Sequence, residues 1–491
     1  MEDIKKIKAQ TFAGVFWQFF EKIAAQLVSL VVSIILARIL DPEDYSIVSI
    51  VLIFFTFSNI FVVGGLNTAL IRKKSVDEKD YSSVFTLSIL VALGIYIVLC
   101  ICAPFIAKLY NKEILVRIFP IMGIILFVNA YKSVLAAHIS STMQFRKFFF
   151  ATLGGTIGSA VIGIVMALNG FGAWALVAQQ LSNAIIGTIF LALTTKIKIC
   201  FFISWTRLKD LFKYGWKVFA SSLVTTTYNE INPLIIGIKF SSTDLAFYSK
   251  GKSYPGILNA SISNTITAVL FPVMSKFQDN IEKLLACSRK YIQLASFLVF
   301  PVMLGFFAVS DKFIVLVLTD KWLSADIYMK IFCVVYMIEC IQLGNTQAVL
   351  ALGKSGVNLI AEILKRIIQI VIILICIIFA KTPEVLAISM IINAIVALVI
   401  SAVLGKKYLN YKIGEQILDI LPNLLTSLIM CLIVIGMSTL QLNMWLLFFL
   451  QIVVGASVYL LLNLIIKNKN LIYFWEIIKQ KIFKGKSEDR G

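Results

Sequence analysis

The sequence predicts an all-α integral membrane protein with about fourteen transmembrane helices. Three observations carry that prediction. Hydrophobic residues fill 59% of the 491 positions and charged residues only 14%, with a mean hydropathy of +0.92. Fourteen apolar stretches follow one another with only short polar loops between them, and about 20 apolar residues cross a hydrocarbon core of roughly 30 Å. Acidic and basic residues nonetheless persist inside several stretches, and ionisable groups at membrane depth point to a pathway for substrate or ions.

Taken in order, the expected spans are 12–40, 45–66, 82–105, 114–138, 148–168, 172–194, 214–238, 255–274, 290–310, 327–349, 357–379, 384–404, 419–439 and 443–466. The first is too long for a signal-peptide core and no small-residue cleavage site follows it, so it is expected to remain as helix 1. With the N-terminus in the cytoplasm, the even number of spans returns the C-terminus there. Lys and Arg then collect in the cytoplasmic segments, at Lys5, Lys6 and Lys8, at Arg72, Lys73 and Lys74, at Arg146 and Lys147, at Lys406 and Lys407 and in the tail, while exterior loops such as 41–44 and 169–172 carry none. Most of the +19 formal charge therefore follows from topology and does not call for nucleic acid. The expected location is the cytoplasmic (inner) membrane.

Trp17 opens a span that ends in ARILDPEDYS and Trp216 one that ends in GIKFSSTDLAFYS; Asp44 follows Trp17 by 27 residues and Asp244 follows Trp216 by 28. Six spans separate the copies, so the repeat is a parallel one about an axis along the membrane normal. The expected organisation is two pseudo-symmetric six-helix lobes, 1–194 and 214–410, joined by an amphipathic cytoplasmic linker at 195–213. Two further helices follow at 411–466, and a basic tail at 467–491 reads as an amphipathic helix. Residues 310–326 are expected to form a short outer helix. Pro120, Pro233, Pro272 and Pro301 are expected to kink or break their spans.

Catalytic constellations are absent: no Gly-rich phosphate loop, no GxSxG elbow, and one histidine, His138, for the whole chain. The eight cysteines have no metal-ligand spacing and read as small packing residues. No enzyme, metal or cofactor is expected. Polar stripes inside the spans remain. Glu21 shares a face with Gln18, Ala25 and Ser29, and Lys22 points about 100° away. Asn129 and Lys132 share a side of helix 4. Asn229 and Glu230 sit with Thr226 and Pro233 in helix 7, Asn259 with Ser263 and Thr267 in helix 8, and Glu339 with Gln342 and Thr346 in helix 10. Helix 11 carries Asn358, Glu362, Lys365, Arg366 and Gln369. Each also has a bland reading. Arg38 and Lys217 lie near span ends and can snorkel, Lys365 and Arg366 can pair with Glu362 within their helix, and Glu230 and Glu339 can make structural interhelical bonds.

The segment LARILDPEDYSIVSI (36–50) resembles a stretch typical of the polysaccharide transporter family, the Wzx-like flippases and exporters of the MATE-like superfamily. GGLNTALIRKK (64–74), YNEINPLIIGIKFSSTDLAFYSKGKSYP (228–255), AVLFPVMSKFQDN (268–280) and DKWLSADIYMKIF (320–332) extend the resemblance in order over about two thirds of the chain. It implies a MATE-like pair of lobes and a flippase that moves an undecaprenyl-pyrophosphate-linked oligosaccharide (an O-antigen, capsule, exopolysaccharide or teichuronic-type repeat) to the outer leaflet. It also implies alternating access coupled to an H+ or Na+ gradient, with a polysaccharide polymerase and chain-length proteins as partners beside membrane lipid. On that footing Lys132, Arg366, Lys365 and Lys22 are the candidates for the anionic headgroup. Glu21, Glu230 and Glu339 are the candidates for ion coupling, with Asn229, Asn259 and Gln342 as polar lining. The competing readings are a drug/cation antiporter of the same superfamily and a lipid II flippase. A membrane-embedded glycosyltransferase would need a large extramembrane loop that the chain lacks.

Overall fold

A computed structural model describes residues 2–73, 76–142, 144–195, 197–468 and 470–471. The expected basic helix of the tail lies almost wholly outside them. The described residues form fifteen α-helices and no strand, and they divide into two compact units, Met1–Ala246 and Phe247–Gly491. The first unit holds α1 (Glu2–Ile39), α2 (Pro42–Val63), α3 (Leu66–Arg72), α4 (Glu78–Leu109), α5 (Leu115–Ser141), α6 (Phe145–Leu168), α7 (Ala173–Thr194) and α8 (Trp205–Lys239). The division falls inside α9 (Ser242–Lys276), and the second unit continues with α10 (Ile281–Phe313), α11 (Asp326–Ala351), α12 (Ser355–Phe379), α13 (Pro383–Leu409), α14 (Ile413–Gly436) and α15 (Met444–Ile465). Helix α8 thus groups with the helices before it, and α14 and α15 with those before them.

Among the described residues twelve helices are long and apolar enough to cross a membrane, which makes this a multi-pass membrane protein. Of the fourteen expected spans, the two that fall short are α8 and α12. These are the helices with the polar run 225–230 and with Glu362, Lys365 and Arg366. Large apolar side chains lie open on the outside, Leu193 at 79% and Ile378 at 75% exposure, as a lipid-facing surface requires.

Local chemistry sets the boundaries. Pro42 occupies the first turn of α2, where its missing N–H costs nothing, and the Asp44 carboxylate accepts the Asp41 N–H at 3.2 Å. Gly64 ends α2 in the left-handed region, and Gly65, at φ +70°, turns the chain into α3. A Cβ on Gly65 would stand 2.3 Å from the Gly215 carbonyl of α8, so this corner admits only glycine. Several expectations are corrected here. The eighth span begins at Ser242 and not at 255, because α9 runs on through Pro255. Pro120, Pro233, Pro272 and Pro301 lie inside continuous helices, so none of them breaks its span. Residues 310–326 form no separate outer helix: α10 extends to Phe313, then a π turn (Ile314–Leu318) and a 3-10 turn (Asp320–Ala325) lead into α11.

Helices α6 and α7 pack closest in the first unit because glycine lines their seam; a Cβ on Gly155 would stand 3.0 Å from the Asn183 carbonyl and 3.2 Å from the Gly187 Cα. Helix α1 lies on α6, α5 on α7 and α4, and α8 against α2 and α3. In the second unit α10 packs on α11 and α14, and α11 on α13.

The linker expected at 195–213 splits in two. Residues 205–213 are already the first turns of α8, buried through Leu208 and Leu211. The non-helical part lies along α4, where the backbone N–H groups of Cys200, Phe202 and Ser204 donate to the hydroxyls of Ser82 (3.2 Å), Thr86 (3.1 Å) and Ser83 (3.2 Å). Its end is clamped. Arg207 donates to Asp77 at 2.5 Å and to Asp80 at 3.0 Å, while Lys73 donates to Asp80 at 2.6 Å. Asp77 and Asp80 cap α4 reciprocally. The hydrogen bond from Arg207 holds the Asp77 carboxyl down at about 2, below the unfolded value near 3.9. A depressed carboxyl stabilises the fold in full above about pH 4 and loses that contribution as pH falls toward about 2. Arg207→Gln is therefore expected to lower the thermal midpoint at neutral pH, with the two proteins converging as pH falls to about 2. Amide exchange over residues 200–204 should rise in the same variant at neutral pH; unchanged exchange would show that the strap holds without its clamp.

Candidate functional site

In the first unit, α1, α5, α6 and α7 bring one carboxylate and one ammonium together. The Thr152 hydroxyl on α6 donates to the Glu21 carboxylate on α1 at 2.8 Å. Lys132 on α5 lies within electrostatic reach of Glu21. Room for the lysine comes from Gly187 on α7, where a Cβ would stand 3.8 Å from the Lys132 Nζ and 3.5 Å from the Ala151 carbonyl. One turn before Lys132, Asn129 donates to Asn59 of α2 at 3.2 Å. Both charged groups are half-buried. The Thr152 hydrogen bond fixes the Glu21 carboxylate in place.

The second unit holds a larger set. Glu339 on α11 lies within electrostatic reach of Lys252 on α9 and Arg366 on α12. Arg366 and Lys365 both donate to Glu362, at 3.3 Å and 2.9 Å, so the local pairing expected for them is present. Three cations thus meet two carboxylates, leaving one net positive charge. Helices α9 and α11 approach closely because glycine faces the contact: a Cβ on Gly251 would stand 2.6 Å from the Tyr328 Cβ, and one on Gly256 2.9 Å from the Tyr336 hydroxyl. Gln342, one turn past Glu339, has a buried Oε1 with no protein hydrogen-bond partner among the described residues.

The other expected residues are distributed as follows along their helices. Lys22 is exposed on α1. Asn229 is exposed and Glu230 half-buried on α8, in a helix whose Ser221, Ser222 and Thr225 are exposed as well. Asn259 is buried and accepts from Ser263 of its own helix at 3.0 Å, a local bond. Lys252 and Thr152 were not among the expected site residues. For Lys252 a usable signal existed, since the run KGKSYPG reads as helix once Pro255 is allowed inside it. For Thr152 none did, because a threonine among apolar residues has no distinguishing pattern.

Residues 35–326 match the family described as polysaccharide biosynthesis protein. An uncharacterized membrane protein in the cps region of Klebsiella pneumoniae is 23% identical over 504 residues, covering 98% of this chain and all of that one. The succinoglycan biosynthesis transport protein ExoT of Rhizobium meliloti (strain 1021) is 24% identical over 313 residues, or 64% of this chain and 63% of its own. Among solved structures, a lipid II flippase MurJ in an inward closed conformation superposes with a TM-score of 0.74 over 94% of this chain and 100% of that one, at 16% identity. At that identity the likeness is one of fold.

Proposed function

Since the chain belongs to the polysaccharide biosynthesis protein family, we propose that it is a flippase. On this reading it carries an undecaprenyl-pyrophosphate-linked oligosaccharide from the cytoplasmic to the outer leaflet of the inner membrane by alternating access, with both termini cytoplasmic. The family match over residues 35–326 is the observation that carries this reading. The physical task fits the residues. A charged headgroup cannot cross hydrocarbon, so the path must supply cations to offset the hydration that the pyrophosphate loses. Lys132 in the first unit and Lys252, Lys365 and Arg366 in the second are the cations assigned to that path, with Lys22 at the edge of the set. Glu21 and Glu339, each beside one of these cations, are the coupling carboxylates; Glu230 is a third candidate. A carboxylate that takes H+ or Na+ outside and releases it inside frees its lysine for the anion in one state and holds it in the other. A polysaccharide polymerase and its chain-length proteins are the partners this step would feed.

The cations favour an anionic substrate over the drug/cation antiporter reading, which calls for an acidic path. Deleting the gene and analysing extracted lipids by mass spectrometry tests the proposal. One undecaprenyl-linked oligosaccharide is expected to accumulate on the cytoplasmic side, with growth preserved. Accumulation of lipid II with arrested growth would replace this reading with the lipid II flippase, and no accumulated lipid-linked sugar would overturn both.

A further inference from the structure

In the first unit a cavity of about 710 Å³ opens where the N-terminal end of α4 meets the C-terminal end of α5, Ile71, Arg72, Lys73 and Val76. Four charged residues line it, Arg72, Lys73, Asp77 and Glu78, and two of them are already paired: Lys73 with Asp80, and Asp77 with Arg207, which also reaches Asp80. Two lining residues are left over. Arg72 makes no ion pair among the described residues and stacks on the Tyr214 ring at 4.4 Å, a contact that leaves the edge of its guanidinium to donate. Glu78, in the first turn of α4, has no ion-pair partner among the described residues either. His138 lines the same cavity, its ring edge-on to Tyr81, and its Nδ1 is buried with no protein hydrogen-bond partner among the described residues. Such a nitrogen calls for a polar partner, which the described residues do not supply. Ile71 and Ile197 supply apolar wall.

We propose that this cavity binds the headgroup of a membrane phospholipid that carries a phosphate and a primary ammonium, as a phosphatidylethanolamine does. Arg72 and His138 take the phosphate, Glu78 takes the ammonium, and the acyl chains leave along Ile71. One cation and one carboxylate left unmatched select a zwitterion over a purely anionic lipid. The position, at the end of two membrane-spanning helices, selects a lipid over a soluble metabolite.

The full-length protein, purified in mild detergent, is titrated with phosphatidylethanolamine, phosphatidylglycerol or phosphatidylcholine and read by native mass spectrometry. Retention of the ethanolamine lipid on the native protein should exceed that of the other two. Arg72→Gln or Glu78→Gln should each lower it by roughly tenfold, the loss of one charge-assisted hydrogen bond. Equal retention of all three lipids by the native protein would overturn the proposal without recourse to any variant, and so would undiminished binding in both variants. Preference for phosphatidylglycerol would overturn the role of Glu78 and with it the zwitterion. The result is independent of glycan transport, since no flux is measured.

Discussion

Lys132→Met is expected to reduce translocation by roughly 100-fold or more, the equivalent of about 3 kcal/mol, because it strips the headgroup of a cation in the first unit and leaves Glu21 as a half-buried carboxylate without its counter-charge. Lipid-linked oligosaccharide flux into proteoliposomes measures it. The informative comparison is the double variant Glu21→Gln/Lys132→Met. Removing both of two opposite charges shielded from water is often neutral for stability, whereas removing one is costly. The double variant should therefore recover the thermal midpoint lost in the single one and still fail to transport. Recovery of flux along with stability would reduce the pair to a structural contact. The same comparison for Glu339→Gln with Lys252→Met addresses the second unit.

The second large effect is expected at Asp419 on α14. Its carboxylate, 9% exposed, accepts from Arg289 Nε at 2.8 Å and Nη2 at 3.1 Å, from Gln293 at 2.8 Å and from Tyr411 at 2.5 Å. One turn on, Asn423 donates to the Gln293 carbonyl and the Ser296 hydroxyl and accepts from Asn468. In lipid, α14 gains nothing by hiding apolar surface from water, so these polar bonds are what dock it to α10. Asp419→Ala should cost about 3 kcal/mol, the low end for breaking a buried pair because Arg289 keeps some solvent. A fall of several degrees in thermal midpoint would register it, and Asp419→Asn should lose less. A variant that melts with the native protein would show that α14 is held by packing alone.

How much of this was legible beforehand differs between elements. Span positions were readable because the bilayer demands about 20 apolar residues wherever a helix crosses, and caps such as Asp41-Pro42 mark where one begins. The pairing of Glu362 with Lys365 and Arg366 was readable as well, since three- and four-residue spacing places side chains on one face of any helix. The start of α9 was misread because Pro255 passes for a helix start, though its ring sits within a helix of 35 residues. Nothing in the chain order joins Arg289 to Asp419, 130 residues away, or Glu21 to Thr152, 131 residues away.

By itself, then, the sequence determined that this chain is a helical membrane protein with ionisable stripes inside its spans, because hydropathy and helical period act over one or two turns and need no partner. Which lysine stands near which carboxylate was decided only by tertiary packing. Glycines at 155, 187 and 251 let particular helices approach to backbone contact, Gly256 leaves room for the Tyr336 ring, and a glycine's effect depends on the surface it meets, which lies elsewhere in the chain.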